Sequence, residues 1–248
     1  MRIIKLVAVT FVALLLIAVA IVPAHAGSTE DLNAAIDASN RGDYDGAILL
    51  YTRALATGGL SQVNQAIAYN NRGTAYGGKG QHDTAIADYN TAIRLKPDYA
   101  DAYYNRGIAH GYEGQYDNAI ADYDAVIRLE PNNTDAYNNR GHAYGAKGDY
   151  DRAISNYAKI FGLDPKYTAA YNGRAWAYYE KGEDAKGLSD AEMAVALAPK
   201  DGGNVETRAE IYEELGKRDK AIADYRTALG LDPKMKEAED GLKRLGAT

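Results

Sequence analysis

The sequence predicts an all-α protein, a right-handed α-solenoid of stacked antiparallel helix pairs closed by a C-terminal helix. Three observations predict it. Prolines fall at Pro97, Pro131, Pro165, Pro199 and Pro233, a step of 34 residues each time. Glycines at Gly80, Gly114, Gly148, Gly182 and Gly216 keep the same step. The aromatic residues are lopsided, with 21 Tyr against 2 Phe and 1 Trp in 248 residues, the bias left by one unit copied several times. A strict period of this size marks a repeat array, in which each unit buries its apolar face only against its neighbours.

Taken in chain order, residues 1–26 read as an address. Arg2 and Lys5 give a positive start, residues 6–22 are apolar apart from Thr10, and Pro23 is followed by Ala24-His25-Ala26, a small-x-small cleavage pattern before Gly27. This is the layout of a secretory signal peptide. The competing expectation is an uncleaved anchor over residues 6–22, at the lower limit of a membrane-crossing length. Either way the chain is expected in an exported compartment, such as a bacterial periplasm, or held at its membrane.

Residues 28–61 form a degenerate first unit. Gly42, Ala47, Tyr51 and Ala54 have the right mutual spacing, but Asp31, Ala35 and Ala38 stand where later units have aromatic, Gly and aromatic. Terminal repeats are expected to be atypical because they cap the stack. Five units then tile residues 66–99, 100–133, 134–167, 168–201 and 202–235. Each reads as two helices. In the third, residues 135–146 make the first helix, Gly148 ends it by accepting a left-handed conformation, and residues 151–162 make the second. Asp83, Asp117, Asp151 and Asp219 open the second helices, where a carboxylate suits the exposed N–H groups and the dipole. Proline stops each unit. Residues 236–246 form a capping helix with Ala238, Leu242 and Leu245 on one face and Lys and Glu on the rest.

The third unit carries Tyr137, Gly141 and Tyr144 on its first helix and Ala153, Tyr157 and Pro165 on and after its second. Those residues resemble the tetratricopeptide repeat family, in its exported bacterial form. Ile160 stands where the family prefers Ala. The resemblance implies a superhelix whose first helices line a concave inner surface that binds proteins or extended peptides.

At 100° per residue, Tyr137, Arg140, Gly141 and Tyr144 share the side that meets the second helix. The opposite side, which the resemblance places on the concave face, carries three rows of candidates. One is Asn70, Tyr104, Asn138, Asn172 and Glu206. The next is Asn71, Asn105, Asn139, Gly173 and Thr207. The third is Thr74, Ile108, His142, Trp176 and Glu210. An amide offers one acceptor and two donors, so evenly spaced amides can bond the backbone of an extended peptide without reading its side chains. The bland reading is that the amides only solvate an exposed face. Trp176 reads either as a binding anchor or as an aromatic covered by Tyr179. The family's clamp for a carboxylate-ended tail needs inner-face lysines, and these units have none. The acidic end at Glu206, Glu210, Glu213 and Glu214 would repel an anionic tail and suit a basic one.

Arg72, Arg106, Arg140, Arg174 and Arg208 form a column of their own. It reads as an anion-binding stripe or as one half of a set of structural ion pairs. Asp88, Asp122, Asp190 and Asp224 recur on the second helices, with Asn156 in the third unit. The first unit has Ala34 and Leu50 in the two slots, so both partners vanish together. That covariation favours pairing, within a unit or between neighbours.

Several functions are disfavoured. A net charge of −6 is wrong for a non-specific nucleic-acid binder. With no cysteine there is neither a thiolate metal site nor a Cys nucleophile. His82, His110 and His142 occupy different slots and form no repeated ligand set. Gly77-Gly78-Lys79-Gly80 lacks the Ser or Thr of a phosphate loop. No nucleophile, base and oxyanion donor come together. The expectation is a non-enzymatic adaptor or scaffold of the cell envelope, without metal, cofactor or small-molecule substrate. Its alternative is a structural, self-associating repeat protein whose groove is incidental.

Overall fold

The computed structural model describes residues 27–247, and the leader or anchor expected over residues 1–26 lies outside them. The described residues form an α-solenoid of thirteen helices without a strand. Six antiparallel pairs follow one another: α1 (Ser28–Asn40) with α2 (Tyr44–Thr57), α3 (Gln62–Gly78) with α4 (His82–Leu95), and α5 (Ala100–Tyr112) with α6 (Tyr116–Leu129). Then come α7 (Thr134–Ala146) with α8 (Tyr150–Phe161), α9 (Thr168–Glu180) with α10 (Asp184–Leu197), and α11 (Gly202–Glu214) with α12 (Arg218–Leu231). A last helix, α13 (Lys236–Arg244), packs on α12. No described helix is long and apolar enough to cross a membrane.

Successive odd helices touch one another, as in α5 with α7, α7 with α9 and α9 with α11, whereas the even helices do not among the described residues. The layer whose members approach each other is the inside of the curve. The odd helices therefore line the concave face and the even helices the convex one.

The turn inside each pair has one chemical cause. Gly42, Gly80, Gly114, Gly148, Gly182 and Gly216 have φ between 68° and 76°. A Cβ at any of them would meet nothing within 4 Å, so backbone angle rather than space demands glycine. The residue after the glycine donates its N–H back over the turn, as in Gln115 to His110 and Asp149 to Tyr144 at 2.8 and 2.9 Å. This is the six-residue closure that satisfies a helix's last carbonyls.

The acidic residues that open the even helices act differently from expectation. The capping bonds come two residues earlier or are absent: Asp149 accepts from Arg152 N, and Gln81, Gln115 and Lys217 make no side-chain cap. Asp117 and Asp151 sit in the first turn, where they suit the dipole, and reach to the next pair to meet Lys147 and Lys181. These pairs are exposed and contribute little to stability.

The core of the second, third and fourth pairs is a tyrosine ring laid on a glycine. A Cβ on Gly73, Gly107 or Gly141 would stand 2.8 Å from a ring carbon of Tyr89, Tyr123 or Tyr157. Real side chains do not approach so closely, so each glycine is what lets the odd and even helices meet. Tyr157 is confined from the next pair as well, since a Cβ on Gly173 would lie 2.6 Å from its ring.

The arginine column is structural. Arg106 Nε and Nη2 donate to the two carboxylate oxygens of Asp122 at 2.9 and 2.5 Å, a bidentate bond repeated by Arg72–Asp88, Arg174–Asp190 and Arg208–Asp224. The partner lies 16 residues on, within the same pair. Arg72, Arg106 and Arg140 also reach back with Nη1 to Thr52, Asn90 and Asp124 on the preceding even helix. In the third unit Asn156 offers one oxygen and takes only Arg140 Nε, at 2.8 Å. With the guanidinium groups so engaged, the anion-stripe reading is withdrawn. The first pair corrects a further expectation. Its usual slots are empty, but Arg53 of α2 holds the buried Asp31 of α1. The pair is rebuilt with its polarity reversed, one turn away on each helix.

Candidate functional site

The concave face contains the predicted amides, in two different states. Asn70 and Asn138 are buried, 5% and 8% exposed. Asn70 Nδ2 donates to Asn71 Oδ1 at 3.0 Å, and Asn105 Nδ2 donates to Asn70 Oδ1 at 3.1 Å. Asn138 Nδ2 lies 3.4 Å from Asn139 Oδ1, while Asn139 Nδ2 donates to the Tyr104 hydroxyl at 3.0 Å. In the first half of the array the amides thus bond to each other and tie adjacent pairs together. Asn70 and Asn138 are covered by that packing and do not present a ladder to a ligand.

Among the described residues two buried amide oxygens stay unpaired, those of Asn138 and Asn172. Asn172 Oδ1 is buried and has no hydrogen-bond partner among the described residues. It forms part of the wall of a concave cavity of about 920 Å³, together with Asn139, His142 and Trp176. Ile108, Tyr112, Tyr116 and Tyr123 supply apolar wall from α5 and α6, and Thr207 from α11 closes the far side. The tyrosines at 112, 116 and 123 are absent from the predicted site. Tyr112 has no aromatic counterpart in the same slot of other units, and Tyr123 recurs as Tyr89, Tyr157 and Tyr225 and so reads as core.

Trp176 lies across the pair boundary. Its ring seats on Gly145 of α7, where a Cβ would stand 2.7 Å from Cζ3, and meets Tyr150 edge-on with centroids 5.9 Å apart. Tyr179, its expected cover, packs in a different cluster with Ala191 and Ile211. Trp176 is therefore held from one side and lines the cavity from the other. His142 meets Tyr157 edge-on at 5.6 Å, and desolvation by the surrounding wall pulls its pKa below the ordinary histidine value. It is neutral at pH 7 and serves as donor or acceptor rather than cation.

Next to the cavity, Glu206 and Glu210 stand one turn apart on α11. Burial, then repulsion from Glu206, pushes Glu210 up to about 8, and burial also raises Glu206. The pair keeps a proton at pH 7. Arg244 of α13 does not neutralise it, because that guanidinium is bound to Glu213 at 2.9 and 3.0 Å. Glu213 also accepts from the Tyr225 hydroxyl at 2.6 Å, and the Arg244 bond holds its carboxyl below the usual range. Among the described residues no three His, Asp or Glu side chains form a metal-binding group.

A stack of helix pairs with a working concave surface is the architecture of a helical repeat scaffold. Family models described as TPR repeat match residues 78–111 and 112–148, and models described as tetratricopeptide repeat match 134–167 and 207–235. Those segments are tetratricopeptide repeats. The match over 134–167 shares the frame used here, while the match over 78–111 starts mid-unit, as a periodic sequence allows. No curated protein matches the chain in sequence.

Among solved structures, the chain resembles the MamA protein, with 26% identity over 70% of this chain and 92% of that one and a TM-score of 0.63. It is similar in fold to a tetratricopeptide repeat protein from Parabacteroides merdae, at 21% identity, 88% and 84% coverage and a TM-score of 0.65. It is also similar in fold to YrrB, described as a TPR protein with an unusual peptide-binding site, at 20% identity, 78% and 97% coverage and a TM-score of 0.60.

Proposed function

We propose that this chain is a non-catalytic adaptor of the cell envelope that holds an extended segment of a partner protein along its concave face. Tetratricopeptide repeats act in protein–protein interaction, and the reading follows that use. The observation that carries it is the cavity among α5, α7 and α9. It joins aromatic wall, the seated Trp176 and the Asn172 side chain, whose buried oxygen has no partner among the described residues. A rigid aromatic beside a few placed polar groups is how binding sites gain both area and orientation. The envelope location rests on the leader-like residues 1–26. The role is positional and involves no bond-making.

One experiment tests both parts. Protein recovered from the source cells is fractionated, and its N-terminus is sequenced. It is then used as bait in envelope extract beside a Trp176→Ala, Asn172→Ala variant. A chain beginning at Gly27, with a partner retained by the wild type and lost by the variant, is the expected result. Recovery in the cytoplasm with Met1 or Arg2 first would overturn the envelope role. Identical partners on both baits would overturn the site.

A further inference from the structure

The acidic pair adjoins the cavity along α11. Thr207 is part of the cavity wall, and Glu206 and Glu210 take the slots on α11 that the wall residues Asn172 and Trp176 take on α9. The wall on the α5 and α6 side is ring and alkyl surface, from Ile108, Tyr112 and Tyr123, and Trp176 faces it. Such a surface takes an apolar side chain. Beside Thr207, α11 carries two half-buried carboxyls that form no ion pair with a described residue. On this footing, and resting on the concave-face reading above, we infer that the partner segment carries an apolar residue for the aromatic wall. Beside it, towards α11, is a lysine or arginine that seats between Glu206 and Glu210.

Charge complementarity selects this occupant. The carboxyls stand one turn apart on α11, so a positive group seated between them replaces a held proton with a charge-assisted interaction. The surroundings favour a cation and oppose an anion. Glu180 of α9 and Glu237 of α13 add negative charge, Glu213 and Glu214 lie on the same helix, and Tyr179 and Tyr225 are neutral nearby. The positive group facing the pair is Arg244, already bound to Glu213. An acidic segment would meet uncompensated like charge, which is a common means of rejecting wrong partners. A neutral segment would fill the aromatic wall and leave the carboxyls unused.

A consequence follows for pH. A cationic ligand binds the ionised pair, so binding expels the held proton. Affinity for a basic peptide then rises with pH and levels off above about 8, where Glu210 is already ionised. Affinity for a neutral peptide does not follow that curve.

The test uses the full chain and a bead-displayed library of random ten-residue peptides. The single tryptophan, Trp176, is the fluorescence reporter of the cavity. Selected peptides are expected to pair an apolar residue with Lys or Arg. Changing that Lys to Gln should weaken binding about tenfold or more. Tightening between pH 6 and 7.5 should approach tenfold per unit. The Glu206→Gln, Glu210→Gln variant, checked for native helicity, should lose both effects while still binding the Gln peptide. Peptides selected without basic bias, or equal binding of the Lys and Gln forms, would overturn this inference and leave the concave-face reading standing. A library in which nothing shifts Trp176 emission would overturn both.

Discussion

Arg106→Leu is expected to destabilise the array by about 3 kcal/mol or more, and Arg106→Leu with Asp122→Leu by distinctly less. The Asp122 carboxylate is only 5% exposed as a side chain, and the bidentate guanidinium is its main compensation. Removing the arginine alone leaves a buried charge with only His110 Nε2, 3.9 Å away, beside it. Removing both leaves a small apolar site. For a chain of this size the single change should lower the melting midpoint by roughly 6–12 °C. The comparison belongs on circular-dichroism melts of both variants in one buffer, because repeat arrays do not always unfold in a single step. Equal losses from the single and double changes would show that the Arg106 contacts to Asn90 and the Tyr103 ring carry the stabilisation instead.

Gly141→Leu is expected to cost about 3 kcal/mol, the upper part of the range for overpacking a filled core. The ring of Tyr157 is fully buried and is confined by Gly141 on one side and Gly173 on the other. A new side chain cannot be accommodated by swinging the ring away. Gly230→Ala is the control. That glycine lies in the last turn of α12, exposed, with nothing within 4 Å of a new Cβ. There alanine should be neutral or stabilise by up to ~1 kcal/mol, through its better helix propensity. An unchanged melting midpoint for Gly141→Leu would count against the ring-on-glycine account of how the pairs are spaced.

The helix pairs were legible because their causes are local. A left-handed glycine, a proline and a 3.6-residue apolar face each act over a few residues. The Arg–Asp pairing was legible too, since both partners vary together from unit to unit. The rebuilt pair in the first unit was not, because comparing like slots cannot see Asp31 and Arg53, which sit one turn away from them. The concave amides were placed on the correct helices, but their burial was hidden. Whether Asn70 faces solvent or a neighbour depends on how closely α3 and α5 approach, and no single unit encodes that distance. The cavity was the least legible feature. Its walls combine Ile108, His142 and Trp176, one slot filled by three unlike residues, with Tyr112 from a slot that holds no aromatic in other units, so no repeated residue type marks it.

The seat of Gly241 against Tyr225 has a consequence for how far such a stack can grow. In the middle of the array the outer side of Tyr157 is covered by Gly173 of the following concave helix. At the end, α13 repeats that contact: Gly241 and Leu242 are buried, and Gly241 abuts the ring of Tyr225. A bare Tyr225 ring would be a landing place for the first helix of another molecule, and a head-to-tail contact of that kind does not close but propagates into filaments. Here half a unit of the same chain occupies the position and turns Lys236, Lys243 and Glu239 outwards. Removing α13 would thus bare the Tyr225 ring and leave it as a joint at which one molecule can add to the next.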